Sequence, residues 1–301
     1  MHRNVNDMVV VITGASAGIG KALATELSRQ GARLVLAARR LERLEELNRS
    51  LGGAHLCLQT DISRAEDCEK LVDAAEAHFG RIDTLVCNAG YGLARPFDQM
   101  SSADVRHIFD TNWFGTVECC RLAVPIMKQQ KPRDGFRGQL MIVSSACARR
   151  GLPFFSTYAA TKAAQLSLAE GLRVELRPLG IAVTSVHPVL AETDFFTTAN
   201  QVSGMDPAAL APGVKQPVSR VAAKMVRAIE KPCHELWPKP MSRLSLNIAI
   251  AIPRIVDMVM SRMRDQVLAN HHGNGKTGAC AEAGEATRDM EESVGKLPHA
   301  G

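Results

Sequence analysis

Uninterrupted apolar runs alternate with stretches of helical period along most of the chain. Met8–Ile12, Ala32–Ala38, Ala54–Thr60, Leu85–Cys87, Gln139–Ser144 and Ile181–Val186 predict six strands. Ala32–Ala38 shows no polar alternation, as expected for a parallel strand buried on both faces. Between the strands, helices are predicted over Lys21–Gln30, Leu41–Asn48, Ala65–Phe79 and Thr157–Arg177, with one long helix over Asp104–Gln130. Gly31, Gly80 and Pro178-Leu179-Gly180 supply stops. Val218–Ile229 reads as a further helix, and His234-Glu235-Leu236-Trp237 as a last edge strand. This recurrence of strand and helix indicates an α/β fold with a doubly wound parallel sheet and right-handed crossovers.

The pattern changes near residue 240, so residues 1–240 read as one domain, 241–268 as a helical extension and 269–301 as a tail. Leu244–Ile252 carries no charge and Pro253 interrupts it; Ile252, Ile255, Val256, Val259 and Met263 then share a helical face. That uncharged stretch falls short of the roughly 20 residues of a membrane span. Two helices packed on the domain or on a partner subunit are expected, ahead of peripheral membrane contact through 244–263. From His271 onward large apolar side chains are scarce, and a disordered tail is expected.

Composition narrows the class of protein. The 301 residues are 46% hydrophobic, enough to bury a core. With 36 basic and 31 acidic residues the formal charge is +5, too mild to imply nucleic acid, and no zinc-ligand spacing is present. Eight cysteines without a regular framework suit a reducing, cytoplasmic setting, and no signal peptide is expected.

The first concentrated chemistry is Thr13-Gly14-Ala15-Ser16-Ala17-Gly18-Ile19-Gly20, set between a strand and a helix. Glycines let the backbone turn tightly and approach a ligand, while the following helix offers unpaired N–H groups and its positive dipole end. A dinucleotide diphosphate is the expected guest. NAD-binding folds place an acidic residue after the second strand to hold the ribose 2′-hydroxyl. Here Ala37-Ala38 is followed by Arg39-Arg40, and the nearest carboxylate is Glu42. A guanidinium can grip a 2′-phosphate that a carboxylate would repel, so NADP(H) is expected ahead of NAD(H). Asp61 follows the third strand, placed either to accept from an adenine amino group or to cap the next helix.

A second constellation is Tyr158-Ala159-Ala160-Thr161-Lys162, with Ser145 thirteen residues before the tyrosine and just after a strand. Tyr158 and Lys162 share one helix face. A free tyrosine, with pKa near 10, has little phenolate at neutral pH, and a neighbouring ammonium draws that pKa down. The serine hydroxyl can hold a substrate oxygen while charge develops on it. Together the three groups suit proton transfer at a carbonyl.

On these residues the chain resembles the classical short-chain dehydrogenases/reductases. The matching segments are Thr13–Gly20, Cys87-Asn88-Ala89-Gly90, Asn112, Ser144-Ser145, Tyr158–Lys162, and His187-Pro188 with Thr193 beyond, spanning about residues 5–240. The resemblance implies a Rossmann-type three-layer α/β/α domain with a seven-stranded parallel sheet. It implies Tyr158 as general acid/base and Lys162 as the group that lowers its pKa and holds the nicotinamide ribose. Ser145 then positions the substrate oxygen, and Asn112 maintains a proton relay through water to Lys162. Asn88 packs beside the cofactor, with Gly14, Ser16, Gly18, Ile19, Gly20, Arg39, Asp61 and Thr193 completing the expected cofactor site. Homodimers or homotetramers through the helices at Asp104–Gln130 and Thr157–Arg177 are expected. Adjacent Cys119-Cys120 read as core or interface residues, since neighbouring helical positions point apart.

Two departures stand out. Cys87 replaces an Asn common in the family, and Pro188-Val189 replaces the usual Pro-Gly. A positive φ at Val189 would strain a β-branched residue. Substrate selectivity is expected from Gly92–Phe97, Arg149–Phe155 and Ala191–Gly213, where Phe97, Phe154, Phe155, Phe195 and Phe196 suggest an apolar pocket. Arg149 and Arg150 are the candidates there for an anionic clamp. The expected activity is interconversion of a lipophilic secondary alcohol and its ketone. The alternatives are a reductase of acyl-thioester-linked ketones and a non-catalytic cofactor-binding scaffold.

Overall fold

The computed structural model describes residues 2–189, 215–265 and 268. Strands β1 (Val9–Thr13), β2 (Arg33–Ala38), β3 (Leu56–Gln59), β4 (Thr84–Cys87), β5 (Gly138–Val143), β6 (Ile181–Val186) and β7 (Glu235–Leu236) form one sheet in the order β3-β2-β1-β4-β5-β6-β7. Every strand pair is parallel. Order reverses between β1 and β4, and in such sheets the crevice beyond the carboxyl ends at that point receives ligands.

Strand side chains alternate between two helical layers, which is why the central strands are buried on both faces and mainly apolar. Val10 and Ile12, with Leu34 and Leu36, face α1 (Gly18–Arg29), α2 (Leu41–Ser50) and α7 (Val218–Glu230), burying Leu23, Leu44 and Met225. Val11, Val35 and Leu85 face α3 (Ala65–Phe79), α5 (Gly115–Gln129) and α6 (Ser156–Leu176), burying Leu71, Met127 and Leu176. Each such side chain contributes about 1.5–3 kcal/mol by leaving water. Helix α3 stops where the sequence indicates: Gly80, at φ +71°, donates its N–H to the Glu76 carbonyl at 2.6 Å.

The expected helix Asp104–Gln130 is two helices. Helix α4 (Ser102–Phe109) starts earlier than the periodicity implies, at a capping box in which Ser101 Oγ accepts from the Asp104 N–H and Asp104 Oδ2 accepts from the Ser101 N–H. A π-turn over Asp110–Phe114 then separates it from α5. At the turn, the Asn112 carbonyl accepts side-chain hydrogen bonds, from Thr116 Oγ1 at 2.9 Å and Gln165 Nε2 at 2.6 Å. Helix α1 likewise begins at Gly18, inside the glycine loop, where the apolar periodicity had placed the start at Lys21.

Two helices follow β7, α8 (Pro240–Ala251) and α9 (Pro253–Asp265), bent by 109° at the break. No single described helix is long and apolar enough to cross a membrane. The 269–301 tail lies outside the described residues.

Candidate active site

A cavity of about 720 Å³ opens beyond the carboxyl ends of the central strands. At its β1 end, Gly14, Ser16, Gly18 and Ile19 line the wall, with Gly14 at φ +68° and Gly18 at φ +54°. These are left-handed conformations that glycine adopts without penalty. Helix α1 has no side-chain cap at Ala17, so its first N–H groups are not satisfied by a cap. Gly20 does not line the cavity. It lies buried behind the loop, where a Cβ would stand 2.4 Å from the Gly14 carbonyl oxygen and 2.6 Å from Asn88 Nδ2.

Asn88, at the end of β4, holds this loop to the sheet. Its Nδ2 donates to the carbonyls of Thr13 at 2.9 Å and Gly14 at 3.2 Å, while Thr13 Oγ1 accepts from the N–H groups of Asn88 and Ala89. Cys87, the departure just before it, is buried with its Sγ 3.7 Å from that of Cys120. Cys119 and Cys120 are both core residues, and the seven described cysteines are free thiols.

Arg39 and Arg40 line the cavity at the carboxyl end of β2. Asp61 lines it too, and its Oδ1 accepts from the N–H of Ser63 at 3.1 Å and from Ser63 Oγ at 2.7 Å. Those hydrogen bonds, together with the nearby Arg39 guanidinium, outweigh burial and hold the carboxyl below its usual range. Asp61 does not cap α3, whose N-cap is Arg64; its carboxylate closes a turn onto Ser63 and stays on the cavity wall. This cradle of left-handed glycines, open helix N–H groups and paired arginines fits a diphosphate-containing dinucleotide.

The second half of the site comes from β5 and α6. Ser144, Ser145, Tyr158 and Lys162 all line the same cavity as the glycine loop. Ser144 Oγ donates to the Lys162 carbonyl at 2.8 Å, joining the strand end to the helix. Lys162 is only 4% exposed, and its Nζ donates to the Val143 carbonyl and to Gln165 Oε1, each at 2.9 Å. Burial pushes this ammonium down to about 8. The Tyr158 phenol is pushed well up by burial and, to a lesser degree, by Cys147, whereas a hydrogen bond with Ser145 pulls it down. The expected lowering by Lys162 does not offset burial in this arrangement, in which Nζ sits 5.8 Å from the Tyr158 ring centroid. The phenol therefore holds its proton firmly at neutral pH.

Ser145 is held from behind. Its carbonyl oxygen lies 3.2 Å from His187 Nδ1, and His187 Nε2 lies 3.0 Å from Ser185 Oγ. A carbonyl can only accept, so Nδ1 carries the proton, and burial pushes the ring toward the neutral form. The imidazole stacks on Trp237 at 4.4 Å. Pro188 accepts from the Ala146 N–H at 3.0 Å, and Val189 joins the cavity wall without the positive φ that would strain it.

Asn112 is fully buried and off the cavity wall; its side chain bonds the backbone N–H and carbonyl of Tyr91 and Thr161 Oγ1 at 3.0–3.1 Å. Gln165, which sequence reasoning passed over, links Asn112 to Lys162. Its signal was available: an amide three positions past the lysine falls on the same helix face.

The expected pocket needs correction at Phe97, Phe154 and the two arginines; Phe154 packs against the Leu93–Ile108 cluster and does not line the cavity. Phe97 is 74% exposed on a 3₁₀ turn and does not line the cavity. Arg149 pairs with Glu235 at 2.7 Å and Arg150 with Asp257, so carboxylates of the chain already occupy both guanidinium groups expected as anionic clamps. Phe155 and Leu152 do line the cavity, and α8 and α9 add Leu246, Ala249, Val256 and Met260. Thr193, Phe195 and Phe196 lie outside the described residues.

Comparison with known proteins agrees with this geometry. An 11-beta-hydroxysteroid dehydrogenase-like protein 3 of Arabidopsis thaliana is 40% identical over 199 residues, 64% of this chain and 62% of the relative. The chain thus spans less than two thirds of that relative's length. Among solved structures, a 3-ketoacyl-(acyl-carrier-protein) reductase from Brucella melitensis complexed with NADH is similar at a TM-score of 0.68 and 26% identity. The alignment covers 77% of this chain and 97% of that one. An alcohol dehydrogenase from the archaeon Thermococcus sibiricus complexed with 5-hydroxy-NADP is similar at a TM-score of 0.65 and 26% identity, over 76% and 95% of the two chains. The family model described as short chain dehydrogenase matches residues 8–203, which include the glycine loop, Ser145, Tyr158 and Lys162. With that span matched and the sheet order and site in place, the chain belongs to the short-chain dehydrogenase family.

Proposed function

We propose that the protein is an NADP(H)-dependent oxidoreductase that interconverts a lipophilic secondary alcohol and its ketone. The observation that carries this reading is that Ser145, Tyr158 and Lys162 share one cavity with the glycine loop and Arg39. The nicotinamide cofactor supplies or accepts the hydride. The chain's own residues do the rest. Tyr158 keeps a proton on its phenol for a carbonyl oxygen that gains negative charge, and its high affinity for that proton delays release until the charge develops. Ser145 Oγ donates a hydrogen bond to the same oxygen, and Lys162 places its ammonium charge behind the phenol.

Arg39 supports NADP(H) over NAD(H), because the end of β2 offers a guanidinium and no carboxylate. The two solved relatives differ on this point, one holding NADH and the other 5-hydroxy-NADP. A lipophilic substrate is supported by the walls of Leu152, Phe155, Leu246 and Val256 and by the ion pairing of Arg149 and Arg150. The hydroxysteroid-dehydrogenase names of the plant relatives point the same way. Exposed Phe114 (57%) and Val174 (75%), at the junction with α5 and on α6, support self-association through those helices.

The test is a panel of apolar ketones and alcohols with NADPH and NADP⁺, followed by cofactor absorbance. Tyr158→Phe is expected to reduce turnover at least about a thousandfold while leaving NADPH affinity within about threefold. Undiminished turnover by that variant would remove Tyr158 from its role. An inert wild-type protein that binds NADPH would favour the scaffold reading.

A further inference from the structure

Gln165 is fully buried on α6, one turn past Lys162, and both ends of its amide are engaged. Oε1 accepts from Lys162 Nζ at 2.9 Å. Nε2 donates to the Asn112 carbonyl at 2.6 Å and to Thr116 Oγ1 at 2.8 Å. Thr116 Oγ1 in turn donates to the same carbonyl at 2.9 Å. The orientation of the amide is fixed by its neighbours: an ammonium only donates and a carbonyl only accepts, so a flipped amide would face like against like at both ends.

We propose that Gln165 is a positioning residue that joins the Asn112 π-turn directly to the Lys162 ammonium and fixes where that charge sits relative to Tyr158. The inference rests on the oxidoreductase reading for its catalytic consequence, while its structural part stands alone. The family resemblance implies a relay from Asn112 through water to Lys162; here a side-chain amide makes that connection. An amide holds its protons tightly, so this bridge sets geometry and charge and does not itself pass protons. With Val143 and Gln165 accepting two of the three ammonium N–H bonds, one remains for the cavity side. Protons reaching Lys162 must then arrive from that side.

The π-turn acquires a physical reason from the same bridge. Its Asn112 carbonyl is satisfied by Gln165 of α6 and by Thr116 at the start of α5. Three elements meet at one side chain: the strand end at Val143 through the shared lysine, the π-turn, and α6.

The test reads the lysine itself. In full-length protein labelled with ¹³Cε-lysine, the Lys162 resonance, assigned by its loss in Lys162→Met, is titrated by NMR. Titratable groups facing the ammonium are Tyr158 on α6 and Cys147 after β5; neither the π-turn nor the Asn88–Gly90 segment contributes a carboxylate that shifts it. Removing the acceptor in Gln165→Leu is expected to lower the midpoint by about one pH unit, and Gln165→Glu to raise it by at least about one unit. Opposite shifts are a signature that a merely space-filling residue would not give. The nearly isosteric Glu variant serves if the Leu variant fails to fold. Midpoints within about 0.3 unit of wild type, or shifts of the same sign in both variants, would overturn the proposal. In NADPH-supported ketone reduction, kcat should fall about tenfold in Gln165→Leu, and the alkaline limit of the rate should move down with the lysine midpoint. Shifts observed in a protein that reduces no carbonyl would sink the oxidoreductase reading alone; turnover without shifts would sink the role of Gln165 alone.

Discussion

Asn88 and Gly14 are joined across the switch point of the sheet: Asn88 Nδ2, at the end of β4, donates to the Gly14 carbonyl at 3.2 Å, and Gly20 packs against both. The glycine loop is therefore shaped from behind as much as by its own dihedral angles. Thr13 Oγ1 closes the arrangement by accepting from two successive N–H groups of the β4 end.

Gly20→Ala tests that packing. The added methyl would lie 2.4 Å from the Gly14 oxygen, with backbone on that side and a hydrogen-bonded amide on the other. A loss of about 1–3 kcal/mol in denaturant unfolding is expected, together with at least about tenfold weaker NADPH binding by fluorescence. Gly171→Ala on α6 is the control. No atom lies within 4 Å of its Cβ position, and its helical backbone suits alanine, so a gain of about 0.5–1 kcal/mol is expected.

Arg39→Ala separates the two cofactors. Loss of a charge-assisted fork on a 2′-phosphate should weaken NADPH binding by about tenfold to a hundredfold and leave NADH within about twofold. Equal effects on both cofactors, measured by calorimetric titration, would count against a 2′-phosphate at this position.

Lys162 makes stability depend on pH in a defined direction. Its folded-state pKa of about 8 lies below the ordinary 10.5, so between these values the unfolded chain binds more protons than the folded one. Its contribution therefore rises as pH increases from about 8 toward 10.5, and burying the ammonium costs stability below that window. The unfolding free energy of wild type relative to Lys162→Met should climb by on the order of 3 kcal/mol across the window. A flat difference would show that the ammonium is solvated in the folded protein.

Much of the molecule was legible in the residue pattern because its sheet is parallel and covered on both faces. Runs such as Val9–Ile12 have no polar position to mislead, and Gly80 and Gly180 stop their elements at left-handed caps. Tyr158, Lys162 and Ser145 were legible because their spacing is set by one helix and one strand end. The π-turn was not, since one wide turn leaves the apolar periodicity of 104–130 nearly undisturbed. Phe97 was misplaced because an aromatic in a loop carries no sign of which way its turn faces. Arg149 and Arg150 stood out as clamp candidates because Glu235 and Asp257, their partners, are 86 and 107 residues away.

The bent pair α8–α9 carries a consequence for how this protein diversifies. Leu246, Ala249, Val256 and Met260 sit on the cavity wall, yet they lie beyond residues 8–203, the span shared with the family. The cavity wall is thus shared between the family span, which carries Ser145, Tyr158, Lys162, Leu152 and Phe155, and a terminal helix pair tied back to it by Arg150 and Asp257. Exchanging α8 and α9 would change one side of the cavity and leave Leu152, Phe155 and the β5–α6 side chains in place, so that side of the wall can vary independently of the rest.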